Sequence, residues 1–143
     1  MIQTLSGRQF PASVIPLIEA AKQSIDIVVY DWRWYPSDPG AVCQLFNQAI
    51  LRAARRHVKI RAILNNQDTI SVLLSQDIQS KKLRTTKLVH AKLMIIDSQV
   101  IITGSHNYTQ SAFQMNLELS VILDGENIAK NFNTFFNNLW GAK

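Results

Sequence analysis

His90-Ala91-Lys92-Leu93-Met94-Ile95-Ile96-Asp97-Ser98-Gln99-Val100-Ile101-Ile102-Thr103-Gly104-Ser105-His106-Asn107 organises the chain. Two apolar runs, Leu93–Ile96 and Val100–Ile102, flank Asp97-Ser98-Gln99, the pattern of an antiparallel hairpin with its turn at Ser98-Gln99. Pairing Asp97 with Val100 sets His90 opposite Asn107 and Lys92 opposite Ser105. Side chains alternate along a strand and cross-strand partners share a face, so this register projects His90, Lys92, Ser105 and Asn107 from one surface.

An imidazole, an ammonium, a hydroxyl and an amide on one patch suit a tetrahedral phosphate, with a nucleophile beside donors for the non-bridging oxygens. Singly, each has a plainer reading: a lone histidine is more often a hydrogen-bonded core residue, a lone lysine a solvated edge. Together, burying them without a ligand is costly.

The pattern His90-x-Lys92-x4-Asp97-x6-Gly104-Ser105-x-Asn107 resembles the motif of the phospholipase D superfamily at every defined position. A weaker likeness extends through Asn116 and Glu118 into the order of strands and helices. One copy in so short a chain is similar to the small bacterial endonucleases of that superfamily, which act as homodimers. The resemblance implies an α/β fold of phospholipase D type and an active site shared between two chains.

The 143 residues suffice for one domain, expected to span 1–143. Hydrophobic residues make up 47% and charged residues 17%, a globular balance that argues against disorder. A net charge of +5 favours polyanionic partners, nucleic acid or an acidic membrane surface, although a modest excess of cations also serves solubility. Cys43 is the sole cysteine, which excludes an internal disulfide and a zinc cluster. No stretch approaches the ~20 apolar residues of a membrane span, and the N-terminus lacks the signature of a signal peptide, so a cytoplasmic location is expected.

Periodicity predicts a helix over Pro11–Lys22, a buried strand over Ile25–Tyr30 and an amphipathic helix over Gly40–Arg56. A second strand over Val58–Leu64 completes a βαβ unit, and a short helix, Asp68–Ile78, follows with Asp68 as its cap. Tyr108–Gln114 is a loop or short helix, and Met115–Leu123 a strand with Asn116, Glu118 and Ser120 on its polar side. Gly125–Trp140 is a closing helix. The fold class is therefore α/β, with a mixed parallel and antiparallel central sheet flanked by helices on both faces.

Outside the hairpin, the aromatic loop Asp31–Gly40 offers Trp32 and Arg33 for stacking on bases or clamping a sugar-phosphate chain, with core or interface packing as the alternative. The basic segment Ser80–Lys87 leads into His90, and Lys87 is a candidate wall of a phosphate-tracking groove. Gly104 suits a close strand approach or an unusual dihedral. His106, on the opposite strand face from Ser105 and Asn107, reads as a surface residue.

Hydrolysis through a covalent intermediate needs a nucleophile and an acid, and one His90 serves only one role at a time. A two-fold dimer supplies both, one imidazole neutral and one protonated. Lys92 and Asn107 are assigned to the phosphate oxygens, Ser105 to a phosphate oxygen or to a neighbouring side chain, Glu118 to fixing an imidazole tautomer, and Asp97 to supporting the site from the turn. The ten acidic residues show no two-metal spacing, so neither metal nor cofactor is expected. The leading expectation is a metal-independent endonuclease acting on DNA, with RNA as the second nucleic-acid substrate. A phospholipid phosphodiesterase of the same superfamily and a catalytically silent nucleic-acid-binding module are the alternatives.

Overall fold

A computed structural model describes residues 2–142. Its strands are β1 (Ile2–Ser6), β2 (Ser24–Val28), β3 (Lys59–Ile63), β4 (Gln79–Lys81), β5 (Leu93–Ile96), β6 (Val100–Gly104) and β7 (Leu119–Asp124). The helices are α1 (Gln9–Ala20), α2 (Val42–Arg55), α3 (Gln67–Ser75), α4 (Gln110–Gln114) and α5 (Glu126–Gly141). The strands form one sheet in the order β1-β7-β6-β5-β2-β3-β4. β2, β3 and β4 run parallel and the remaining pairs antiparallel, the mixed sheet expected from one βαβ unit joined to a hairpin.

Strand alternation divides the core in two. Ile25, Ile27, Met94, Ile96, Ile102 and Ile122 face one layer, where Phe10, Val14 and Ile18 of α1, Phe46 and Ile50 of α2, Leu73 of α3 and Phe113 of α4 pack. Val28, Ile63, Leu93, Ile95 and Ile101 face the other, covered by Ala129 and Phe136 of α5. Both faces of the central strands are thus buried, which is why β5 reads as an unbroken apolar run and Ile25–Val28 of β2 is interrupted only by Asp26. On the α5 side, Arg61 makes a two-pronged bond to Asp26 (2.8 and 2.9 Å) and lies under the rings of Phe136 and Trp140.

The hairpin register differs from the sequence expectation by one residue, Ile96 pairing with Val100. The chain turns at Asp97-Ser98, whose φ values of 54° and 55° are the two consecutive positive angles of a type I′ turn. Gln99 N–H donates to the Ile96 carbonyl across it at 3.0 Å. The Asp97 carboxylate explains the shift: it accepts from the backbone N–H groups of Lys22, Gln23 and Ser24, the nearest at 2.7 Å, and Asp97 N–H donates to the Ser24 carbonyl at 2.8 Å. These four bonds fasten the hairpin tip to the start of β2.

Asp97 therefore sits at the end of β5 away from His90, and its expected support of the site is corrected to a structural role. Burial raises its carboxyl pKa, but the three N–H donors outweigh that and hold it below the usual carboxylate value.

Other departures are local. Ile2–Ser6, unassigned from sequence, forms the edge strand β1 beside β7. The third helix stops at Ser75 rather than Ile78, after which Asp77 takes a positive φ and the chain enters β4. Its cap is Asn66, whose side chain accepts from Thr69 N–H, and not Asp68. β7 begins only at Leu119 and inverts the expected alternation: Ser120 is buried, whereas Leu117 and Leu119 are exposed.

Asp97→Ala should lower unfolding free energy by about 2 kcal/mol, because three N–H groups lose a charged acceptor. With the folded pKa depressed, the stabilisation is complete above the unfolded value of about 4 and is lost as pH falls through the lower folded value. Urea melts from pH 7 to 2 should therefore show a large difference between wild type and variant at neutral pH that closes on the acid side.

Candidate active site

The C-terminal ends of β2 and β6 and the N-terminal ends of β5 and β7 lie at one edge of the sheet, because β2 and β5, β5 and β6, and β6 and β7 are antiparallel neighbours. Tyr30 and Asp31 leave β2 there, His90–Lys92 enter β5, Ser105–Asn107 leave β6 and Asn116–Glu118 enter β7. The β5–β6 ladder stops at the Leu93–Thr103 pair, so convergence at this edge does not come from the strand alternation argued from sequence.

Lys92 Nζ lies 3.0 Å from Nδ1 and 3.3 Å from Nε2 of His90. The contact sets an ammonium against the imidazole, a cation beside a side chain of the type that can act as a nucleophile. Tyr30 backs the pair, its ring centroid 4.8 Å from that of His90 and 5.7 Å from Lys92 Nζ. Partial burial lowers the Lys92 pKa, and the nearby Glu118 carboxylate opposes that shift.

Ser105 Oγ donates to Glu118 Oε1 at 2.5 Å and accepts from Leu119 N–H at 3.0 Å, while Asn116 Nδ2 donates to Glu118 Oε2 at 3.0 Å. The hydroxyl hydrogen of Ser105 is thus committed to a neighbouring side chain, one of the two roles left open from sequence. Glu118 bonds to Ser105 and Asn116, where sequence reasoning aimed it at the imidazole.

Asn107 Oδ1 accepts from Asp31 N–H at 3.1 Å. A backbone donor fixes the amide's orientation, so Nδ2 is the end left to meet an anion. The Asp31–Arg33 and Asn107–Tyr108 segments run together through bonds from Tyr108 N–H to the Asp31 carbonyl and from Arg33 N–H to the Tyr108 carbonyl, each 3.0 Å.

Trp32 does not reach this edge. Its indole is fully buried, with Nε1 donating to Asn47 Oδ1 at 2.7 Å, so the expected stacking on bases is corrected to a core role. Arg33 stays largely exposed and pairs with Asp31 at 3.0 Å. Lys87 is exposed on the segment before His90, where sequence put it. Cys43 is buried, which pushes its thiol up to about 12 and fits its reading as a small apolar residue.

His106 corrects another expectation. It is buried rather than superficial, stacked on Phe10 and hydrogen-bonded to Ser120 Oγ at 2.8 Å and the Gly7 carbonyl at 2.9 Å. Burial lowers its pKa against the opposing pull of the Gly7 bond. A neutral imidazole donating to Gly7 therefore pins the residue between Ser105 and Asn107 to the turn after β1. Sequence reasoning missed Tyr30 and Asp31 at this edge; the available signal was that both stand at the end of an apolar strand.

A family model described as "Cardiolipin synthase, PLD-like domain" matches residues 14–140. The chain belongs to this family. Among relatives of the PLD-like domain, the mitochondrial cardiolipin hydrolase of Xenopus laevis is 29% identical over 126 residues, 84% of this chain and 56% of that protein. The chain thus spans little more than half the length of that relative. Among solved structures, Nuc from Salmonella typhimurium, described as a phospholipase D family member, superposes with a TM-score of 0.81 at 21% identity, over 98% of this chain and 93% of that one. NucT from Helicobacter pylori superposes with a TM-score of 0.80 at 20% identity, over 99% and 96%. These likenesses agree with the PLD-like fold and the mixed sheet.

Gly104 carries the close approach that brings Ser105 to β7. Its φ is 155°, and a Cβ there would overlap the Cα and Oγ of Ser120 and the Leu119 carbonyl. Gly104→Ala should lower the melting temperature by several degrees, read by calorimetry.

Proposed function

We propose that this PLD-like domain is a metal-independent phosphodiesterase that cleaves nucleic acid, DNA foremost, through a phosphohistidine at the two-fold of a homodimer. The observation that carries the reading is the contact between His90 and Lys92, set at the same end of the sheet as Ser105, Glu118 and Asn107.

In the first step a neutral His90 nitrogen attacks phosphorus. The N–P bond forms, the P–O bond to the leaving alcohol breaks, and the partner subunit's His90, protonated, gives its proton to the departing oxygen. In the second, that now neutral imidazole takes a proton from water as the water oxygen attacks phosphorus and the N–P bond breaks. Lys92 and the Asn107 amide hold the non-bridging oxygens and offset the developing charge. The ammonium supplies in place the positive charge that a divalent cation supplies elsewhere. Glu118 fixes Ser105 and balances Lys92.

The dimer is supported by what surrounds the site. Leu117, Met115, Leu88 and Leu119 are 104%, 80%, 67% and 57% exposed, among the most exposed apolar side chains described, and each lies within three residues of Glu118 or His90. An apolar rim around a polar notch holding a single imidazole fits a surface covered by a second copy.

A phospholipid diester is the second reading. It draws on the cardiolipin hydrolase relative and on a crevice of about 430 Å³ beside His90, lined by Leu83, Leu88, Ala91, Phe135 and Leu139 with Arg84 and Lys87 at its edge. Turnover of DNA and of dispersed cardiolipin by the same preparation decides between the two. A silent binding module would show neither.

His90→Asn should reduce DNA cleavage by at least about a thousand-fold, whereas excess chelator should leave the wild-type rate unchanged. Magnesium-dependent cleavage, or cleavage undiminished in the variant, would refute the mechanism. Sedimentation should show a dimer in the wild type and a folded, inactive monomer in Leu117→Glu.

A further inference from the structure

We propose that the groove between the loop after β2 and the Lys82–Val89 segment is the seat of the nucleotide next to the scissile phosphate, with Lys82 holding that nucleotide's own phosphate. The inference rests on the nuclease reading and adds to it a place for the neighbouring nucleotide and a residue for its charge.

The groove encloses about 570 Å³, within the range of ~300–1,000 Å³ typical of ligand sites. It is continuous with the active site because the two share a wall. Tyr30 and Asp31 line the groove, while the Tyr30 ring packs against His90 and Asp31 N–H holds Asn107. A strand with one phosphate at His90 therefore carries its next nucleotide past Tyr30 and into this space.

The walls are fastened to each other. Asn65 Nδ2 donates to the Tyr30 carbonyl at 3.0 Å and to the Val89 carbonyl at 3.3 Å, spanning from one side to the other directly before His90. Lys87 N–H donates to Thr85 Oγ1 at 3.1 Å, shaping the turn on the far side. Substrate thus meets a groove whose two sides are held in register with the nucleophile.

The lining chooses the ligand. Three cations, Arg33, Lys82 and Lys87, stand against one carboxylate, Asp31, and that carboxylate is already paired with Arg33. Two positive charges remain uncompensated, beside the hydroxyls of Thr85 and Thr86. Cations with short polar donors suit a sugar-phosphate chain. An acyl chain finds no such match here, the apolar crevice being formed with α5.

The test compares two substrates with the whole 143-residue chain: bis(p-nitrophenyl) phosphate, which has no flanking nucleotide, and a single-stranded oligodeoxynucleotide. In Lys82→Glu the ratio of kcat/KM for the oligonucleotide to that for the small diester should fall by about tenfold or more, with the loss in KM. Lys82→Arg should restore it, and the salt dependence of oligonucleotide binding should lose about one unit of log–log slope in Lys82→Ala. An unchanged ratio in Lys82→Glu, with cleavage of both substrates intact, overturns the groove assignment alone. A wild-type enzyme that turns over the small diester but not the oligonucleotide overturns the nuclease reading instead, before any variant is made.

Discussion

The hairpin that leads to the candidate site is fastened, at the opposite end of its strands, by a carboxylate. Asp97 gathers three backbone N–H groups at the start of β2 and thereby fixes where the β5–β6 hairpin turns. In a β-ladder a slip of one residue sends every side chain to the other face, so the clamp decides which residues of both strands enter the core. It also decides where the ladder ends, at Leu93 and Thr103, and hence where the chain is free to bend and present Lys92 and Ser105. An aspartate at a turn needs only local backbone chemistry, yet here it sets long-range geometry.

At the other edge, the site is assembled from short bonds between segments that arrive separately. Lys92 meets His90, Glu118 meets Ser105, and Asp31 meets Asn107, each pair joining polar groups from different segments. The functional groups remain partly exposed, while the groups that hold them, His106 and Ser120, are buried and mutually bonded. A rigid interior thus supports a solvated notch, the arrangement expected where charge must be handled without reorganisation.

Much of this was legible in the chain itself. The apolar periodicity of Gly40–Arg56 and of Gly125–Trp140 locates α2 and α5, and the short β-branched run at Ile25 and the unbroken one at Leu93 locate strands buried on both faces. The motif picked out His90, Lys92, Ser105 and Asn107 because residue type and spacing are local properties. What stayed hidden was tertiary. Whether Trp32 stacks on a ligand or on Phe46 depends on partners distant in sequence, as does the burial of Ser120 and His106, which hydrophobicity assigns to the surface. β1 and β4 are too short and too polar for periodicity to register, and each exists because a neighbouring strand offers it hydrogen bonds.

The bond from His106 to the Gly7 carbonyl joins positions 99 residues apart. Eighteen consecutive letters carry the family's signature, but their shape is borrowed from the far end of the polypeptide. A peptide spanning the motif would have the right alphabet and no grammar. Chain entropy makes so distant a closure costly, and a fragment without the first strand and its following turn would lose the contact that pins His106 between Ser105 and Asn107.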